Sequence, residues 1–268
     1  MTYKIDHDYH IHTYLSSCSR DPEQNIDMIG RYARENKLDR IVITDHFWDE
    51  NIECTFSWYK PQDFAHISKI KPLPKDGKTK FMFGCETEIR HDMLLGISHK
   101  HFDDFDFVII PTTHLHMDGF TIRNEDVPSK KRRAELWLSR LSLLLDMDLP
   151  FTKIGIPHLC CQLVCKTSME DLCEVMDGVS TYDMADVFEK AARRGVGIEL
   201  NSSAMGFEDK YKDSLLRPFR IARSCGCKFY LGSDAHTPSG FKNATEVFER
   251  AIRLLDLRES DKFHIEKR

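Results

Sequence analysis

Short apolar stretches recur along the chain, near 3–9, 40–44, 81–85, 107–111, 153–157, 196–200 and 228–232. Arg40-Ile41-Val42-Ile43-Thr44 and Phe107-Val108-Ile109-Ile110 are continuous rather than alternating. Strands buried on both faces look like this, which predicts a parallel sheet wrapped in helices. Between the stretches, apolar residues fall at helical spacing. Ile26, Ile29 and Ala33 mark a helix over 23–36, and Leu136, Leu138, Leu141, Leu144 and Leu145 one over 129–145. Two more are predicted over 181–194 and 247–257, with shorter segments at 61–70 and 213–224. Strand and helix thus alternate about seven times, as in an open doubly wound sheet or a closed barrel. No G-x-G-x-x-G follows the first strand, which weakens a dinucleotide-binding reading. No Gly/Ser-rich linker divides the chain, so one domain over 1–268 is the economical expectation.

The strand ends carry the chemistry. They read Tyr9-His10-Ile11-His12, Thr44-Asp45-His46, Gly84-Cys85-Glu86, Thr113-His114, Pro157-His158, Leu200-Asn201 and Ser233-Asp234-Ala235-His236. Parallel barrels gather their C-terminal strand ends on one face, so these side chains are expected to meet. Residues i and i+2 of a strand face the same way; His10 and His12 can therefore reach one ion, and Asp234 and His236 repeat that spacing. Glu86 closes the third strand with Glu88 on the same side, and a carboxylate can bridge two ions. His114 ends the fourth strand and His158 the fifth. His116 alternates with His114 and suits either ligation or a supporting role, while Asp45 can orient a neighbouring ligand. Imidazole with carboxylate suits zinc, iron or manganese. Six histidines, one glutamate and one aspartate exceed the needs of one ion, so two or three divalent ions are expected.

Composition narrows the rest. The 268 residues are 41% hydrophobic and 30% charged, as in an ordinary globular protein. A net charge of −5 argues against broad nucleic-acid or membrane-surface binding. Nine cysteines without a C-x-x-C pair read as reduced thiols of a cytoplasmic protein. The first residues hold no apolar signal core, and no apolar run is long enough to span a membrane. Nothing in the chain sets an oligomeric state.

These residues in this order resemble the PHP (polymerase and histidinol phosphatase) family, in its histidinol-phosphatase-like branch. The matching stretches are His10-Ile-His12-Thr13, Thr44-Asp45-His46, Gly84-Cys-Glu86, His114-Leu-His-Met-Asp118-Gly119, His158, Glu199-Leu-Asn201-Ser202 and Gly232-Ser-Asp234-Ala-His236. The resemblance spans nearly the whole chain. It implies a distorted (βα)7 TIM-like barrel with a trinuclear metal centre that hydrolyses a small phosphomonoester, histidinol phosphate among the candidates. It also implies one ion on His10, His12, Glu86 and Asp234, a second sharing Glu86 with His114 and His158, and a third on His46 and His236. Two departures stand out. Cys18 occupies the position of a usual histidine ligand, where a thiolate can replace imidazole on zinc. Gly155-Ile-Pro-His158-Leu-Cys-Cys replaces the usual G-H-x-D.

A phosphate also needs cations from the protein. Arg90, on the parity of Glu86, is the stronger candidate and Lys153 another, whereas Lys130-Lys131-Arg132-Arg133 reads as a solvated helix start. Asn201 is a second candidate for substrate contact. Asp234, His236 and His116 are the candidates to protonate the leaving group. Trp48, Phe56, Trp58 and Tyr59 lie where a loop covers the site. Two other readings remain: an amidohydrolase-like enzyme cleaving C–N or C–O bonds, and a non-catalytic metal module. No lysine suited to carbamylation sits on a middle strand, which weighs against the first.

Overall fold

The computed structural model describes residues 1–75, 77–123 and 129–265. Its framework is seven strands: β1 (His7–Ile11), β2 (Arg40–Ile43), β3 (Lys80–Glu86), β4 (Phe107–Ile109), β5 (Ile154–Ile156), β6 (Gly197–Asn201) and β7 (Lys228–Gly232). Each pairs in parallel with the next in chain order.

The ring closes between β1 and the end of β7. The Asp234 N–H donates to the His10 carbonyl at 2.7 Å, and the His12 N–H donates to the Ala235 carbonyl at 3.1 Å. Further down the seam, side chains replace the backbone ladder. The Leu231 N–H donates to His7 Nε2 at 3.1 Å, and the Ser233 N–H to Asp8 Oδ1 at 3.0 Å. His7 Nδ1 in turn faces the Asp6 carboxylate at 2.8 Å, which leaves Nε2 as the acceptor. The fold is therefore a TIM-like (βα)7 barrel, distorted at the seam where side chains of β1 take the place of a backbone ladder to β7.

Large residues fill the interior: Tyr9, Val42, Met82, Phe107, Ile109 and Tyr230, plugged by Phe263. Space is made by glycine. A Cβ on Gly155 would lie 2.5 Å from both the Phe107 ring and the Tyr230 hydroxyl, so this rung of the barrel has no room for a side chain. Small opposite large is how narrow barrels pack.

Outside, helices cover the strands: Ile26–Glu35, Lys130–Asp146, Met169–Gly178, Thr181–Arg194, Lys212–Ser224 and Ala244–Leu254. Their starts are capped by Asn25, Ser129, Ser168 and Ser180, whose side chains accept from first-turn amides. Gly195 ends one helix at φ 74°, a conformation glycine adopts without Cβ strain. Trp137, Leu141, Phe188 and Ala191 are buried, completing the apolar layer between helices and sheet.

The expected strand over 3–9 is displaced: β1 begins at His7, and Tyr3 instead packs beneath β7, its hydroxyl donating to the Phe229 carbonyl at 2.7 Å. The helix Met169–Gly178 was not expected. Its apolar face is carried by only Leu172, Val175 and Met176, too few to stand out beside the stronger pattern that follows. The segment 61–70 is a single turn, Phe64–Ile67, continued as a 3-10 turn. Among the described residues, no helix is long and apolar enough to cross a membrane, and all nine cysteines are unpaired.

Candidate metal centre

At the C-terminal mouth of the barrel, four side-chain atoms face one point. His10 Nε2 and His12 Nε2 are 3.1 Å apart. Glu86 Oε2 lies 3.3 Å from the first and 3.2 Å from the second. Asp234 Oδ1 lies 3.3 Å from each ring nitrogen. A tetrahedral ion with ligands at about 2.0–2.1 Å has ligand–ligand edges of about 3.3 Å. These separations match that figure, and no placement of protons lets four such atoms hydrogen-bond mutually. The donor set therefore suits a divalent cation. Glu86 Oε1 agrees: it is buried without a hydrogen-bond partner and points toward His158 Nε2 at 3.7 Å.

Supporting groups fix which ring nitrogen faces inward. His10 Nδ1 donates to Glu199 Oε1 at 2.6 Å. The Ser16 hydroxyl gives its single proton to Asp45 Oδ1 at 2.6 Å. His12 Nδ1, 3.0 Å from that hydroxyl, must then be a donor. His114 Nδ1 donates to Glu88 Oε2 at 2.6 Å, and His236 Nδ1 to the Asp234 carbonyl at 2.8 Å. In all four rings Nδ1 is the committed donor, so Nε2 is the nitrogen that can give its lone pair to a metal once any proton there is displaced. Glu199 holds more than His10, since its Oε2 accepts from the His158 N–H at 2.9 Å and from Asn201 Nδ2 at 3.1 Å. Its approach depends on Gly232, where a Cβ would stand 2.0 Å from Glu199 Oε1.

Two further groups adjoin the first. His10, Glu86 and His158 form one; His12, Cys18, His46 and His236 form the other, each with donor atoms within 4.8 Å of one another. His114 lies alongside His158, rings parallel at 5.0 Å. His158 and Asp234 both take positive φ, 40° and 55°. Other non-glycine residues of the chain, such as Lys37 and Asn243, share this left-handed conformation, so at His158 and Asp234 it describes how the chain turns at the cluster.

The charges act on one another. Burial disfavours the charged His10 and His12 rings. Asp234 and its carboxylate neighbours nonetheless raise His10 well above its ordinary value and His12 to about 9. Burial likewise opposes ionisation of Glu86 and Asp234, yet the surrounding imidazoles hold both well below the carboxylate range. His158 is pushed down to about 3 by burial, and His236 to about 4 by burial and by His12. Negative oxygen is thus concentrated where cations are favoured.

Above the donors opens a cavity of about 490 Å³, walled by Phe56, Trp58, Tyr59, Met117 and Leu163, with His116, Asp118 and Lys166 as its polar groups beyond the cluster. Trp58 stands edge-on to His46 at 4.9 Å. The volume falls in the range of small-molecule sites.

Most of the sequence-derived residues meet here: His10, His12, Cys18, His46, Glu86, His114, His116, His158, Asp234 and His236. Several details differ. β7 ends at Gly232, so Asp234 and His236 do not share a strand face; the positive φ of Asp234 turns the chain and brings them together. β4 ends at Ile109, and a loop rather than a strand delivers His114. Glu88 orients His114 and does not face the cluster of donors. Asp45 acts through Ser16 and also accepts from Thr13. Arg90 is paired with Asp92, at 3.1 and 2.5 Å, and is not among the described residues lining the cavity. Lys153 donates to the Phe102 and Phe105 carbonyls at the opposite end of β5. The amide of Asn201 donates to Glu199 and, at 3.3 Å, to Asp234 Oδ2, so it is engaged within the cluster. Sequence reasoning gave no role to Glu199, Ser16 or Lys166. An acidic residue inside the apolar β6 was the available signal for the first; loop residues such as the other two carry none.

No family model matches the chain, and no curated protein matches it in sequence. Solved structures do. The crystal structure of histidinol phosphate phosphatase from Lactococcus lactis subsp. lactis, complexed with zinc, L-histidinol and phosphate, superposes with a TM-score of 0.58 over 92% of this chain and 93% of that one, at 18% identity. At that identity the likeness establishes a shared fold, the (βα)7 barrel described above.

Proposed function

We propose that this chain is a metal-dependent phosphoesterase of the PHP family that hydrolyses a small phosphomonoester, with residues 1–268 forming one catalytic unit. The observation that carries the reading is the quartet His10, His12, Glu86 and Asp234, spaced as ligands of a tetrahedral ion at the floor of a small-molecule cavity. His158 and His114 extend it on one side, and His46, Cys18 and His236 on the other, giving room for two or three ions. Zinc suits this donor set best, with iron or manganese as alternatives. The fold neighbour, a histidinol phosphate phosphatase in complex with zinc, supports both the chemistry and the choice of ion.

The ions, when bound, supply a water acidic enough to ionise near neutral pH and neutralise the phosphoryl oxygens. The protein's part is to hold them and shape the space above. Glu199, Glu88 and Ser16 lock the ligand rings. Phe56, Trp58 and Tyr59 exclude bulk water from one side, which strengthens every charge interaction inside. Lys166 offers a cation at the rim. His116 belongs to none of the donor groups, and burial and the neighbouring His114 hold it neutral, down to about 3. A phosphoryl dianion beside it opposes that shift and favours the protonated ring, so His116 is the residue we assign to protonate the leaving oxygen. Hydrolysis is direct, without a phosphoryl-enzyme. The unpaired thiols suit a reducing compartment, and we place the enzyme in the cytoplasm.

A screen of the metal-loaded protein against metabolite phosphates, histidinol phosphate included, tests the reading. Cleavage of at least one ester is expected. Activity confined to amides or lactones, or full metal with no turnover, would replace it with the amidohydrolase or the non-catalytic reading. Trapping a phosphoryl-enzyme in a rapid quench would exclude direct hydrolysis.

A further inference from the structure

We propose that Cys18 coordinates, as a thiolate, the ion held by His46 and His236, and that this sulfur makes the position selective for thiophilic cations such as zinc and cobalt over manganese. The inference rests on reading the strand-end cluster as a metal centre. His12 Nε2 is already one of the tetrahedral quartet. Within the group His12, Cys18, His46 and His236, that leaves Cys18, His46 and His236 as donors of their own. Three protein donors with a fourth direction open to a cavity is the count found at catalytic zinc.

Each member is set up for the role. His236 spends Nδ1 on the Asp234 carbonyl, which frees Nε2. His46 is 7% exposed, and its Nδ1 makes no hydrogen bond although it stands 3.3 Å from Glu86 Oε2. Cys18 is held between anchored neighbours. The Ser17 N–H donates to Gln62 Oε1 at 2.9 Å, and Ser19 Oγ donates to the His236 carbonyl at 2.5 Å. The thiol lines the cavity beside His46 and His236 and is exposed, whereas Cys85 and Cys160 are buried in the core. On binding, the thiol proton passes to solvent and sulfur becomes the ligand. Thiolate favours zinc and its neighbours in softness, whereas manganese prefers oxygen.

Cobalt loading tests this, because a thiolate bound to Co(II) gives a near-ultraviolet charge-transfer band that imidazole and carboxylate do not. The cobalt-loaded wild type is expected to show the band. Cys18→Ser should lose it and bind one ion fewer. Cys18→His should bind the full complement without it and accept manganese at that position. Unchanged far-ultraviolet dichroism in both variants separates these effects from unfolding. A full complement of cobalt with no sulfur band in the wild type, or a band unchanged in Cys18→Ser, overturns the proposal. Ester hydrolysis measured on the same samples keeps the two readings apart. Turnover without a sulfur band sinks only the thiolate ligand. A sulfur band without turnover of any ester supports the thiolate ligand and sinks the phosphatase. No cobalt uptake at all sinks both.

Discussion

Glu199 decides more of the site than any ligand taken singly. Its carboxylate fixes the tautomer of His10, accepts the His158 backbone amide, and takes one Asn201 hydrogen bond. Loss of such a partner costs roughly 10–100-fold in metal affinity or activity. Glu199→Gln is therefore expected to weaken metal binding by about that factor, read by competition with a chromogenic chelator; affinity equal to wild type would contradict the assignment. Gly232→Ala should act the same way, since its Cβ displaces Glu199. Replacing the ligands His12 or Asp234 by alanine should cost more than the roughly 100-fold upper end of that range, while His99→Ala in the surface turn leaves turnover unchanged. His116 provides a pH test. Its folded pKa of about 3 lies below the ordinary histidine value of about 6.5. Below about pH 6.5 the unfolded chain binds a proton that the folded one refuses, so this contribution to stability is present above that pH and fades as pH falls toward 3. Denaturation of the metal-free protein should then show a shallower acid loss in His116→Asn than in wild type. At this scale much was legible beforehand. Histidines and acids that end apolar runs stand out in a chain, whereas Ser16 and Lys166 are ordinary loop residues until folding puts them beside a ring or a cavity.

The strand ends were legible for a physical reason. A strand buried on both faces excludes polar residues, so the first histidine or acid after it marks where burial stops. The pattern was weaker at the seam. Tyr3, Ile5 and Tyr9 look like one strand, yet the pairing begins at His7, because His7 and Asp8 must turn toward β7 and accept from the Leu231 and Ser233 amides. Polar residues within an apolar run look like noise in a sequence, and here they are what closes the sheet. Asp8→Leu leaves the buried Ser233 amide without its acceptor, which costs about 1–3 kcal/mol. Chemical denaturation should show that loss. Metal affinity should fall with it, because Ser233 precedes Asp234. A variant with wild-type stability would mean that the ladder re-forms without the side chain. The helix Met169–Gly178 escaped notice for the opposite reason, its apolar face being too short to register as a period.

Across the whole molecule, the candidate donors come from strand ends and loops spread between His10 and His236, so on the metal-centre reading folding and cation binding are linked. Binding to the folded form alone stabilises by about 4 kcal/mol at 1,000 times Kd. Stripping the ions with a chelator is thus expected to lower the melting temperature and abolish ester hydrolysis, and zinc should restore both; a melting temperature indifferent to chelator would show that the cluster binds nothing. Because His12 is held up to about 9, it is charged at neutral pH in the metal-free protein, and uptake must expel protons. Calorimetric titration in buffers of different ionisation heat should report that release, with affinity rising as pH increases toward 9. The closure of the ring through Asp234 and His10 also has a temporal meaning. During synthesis His10, His12 and Glu86 emerge long before the last strand, and until it arrives they lack both their fourth donor, Asp234 Oδ1, and the neighbour that aligns β1. On the metal-centre reading, a chain cut before β7 should therefore hold a cation more weakly than the full chain.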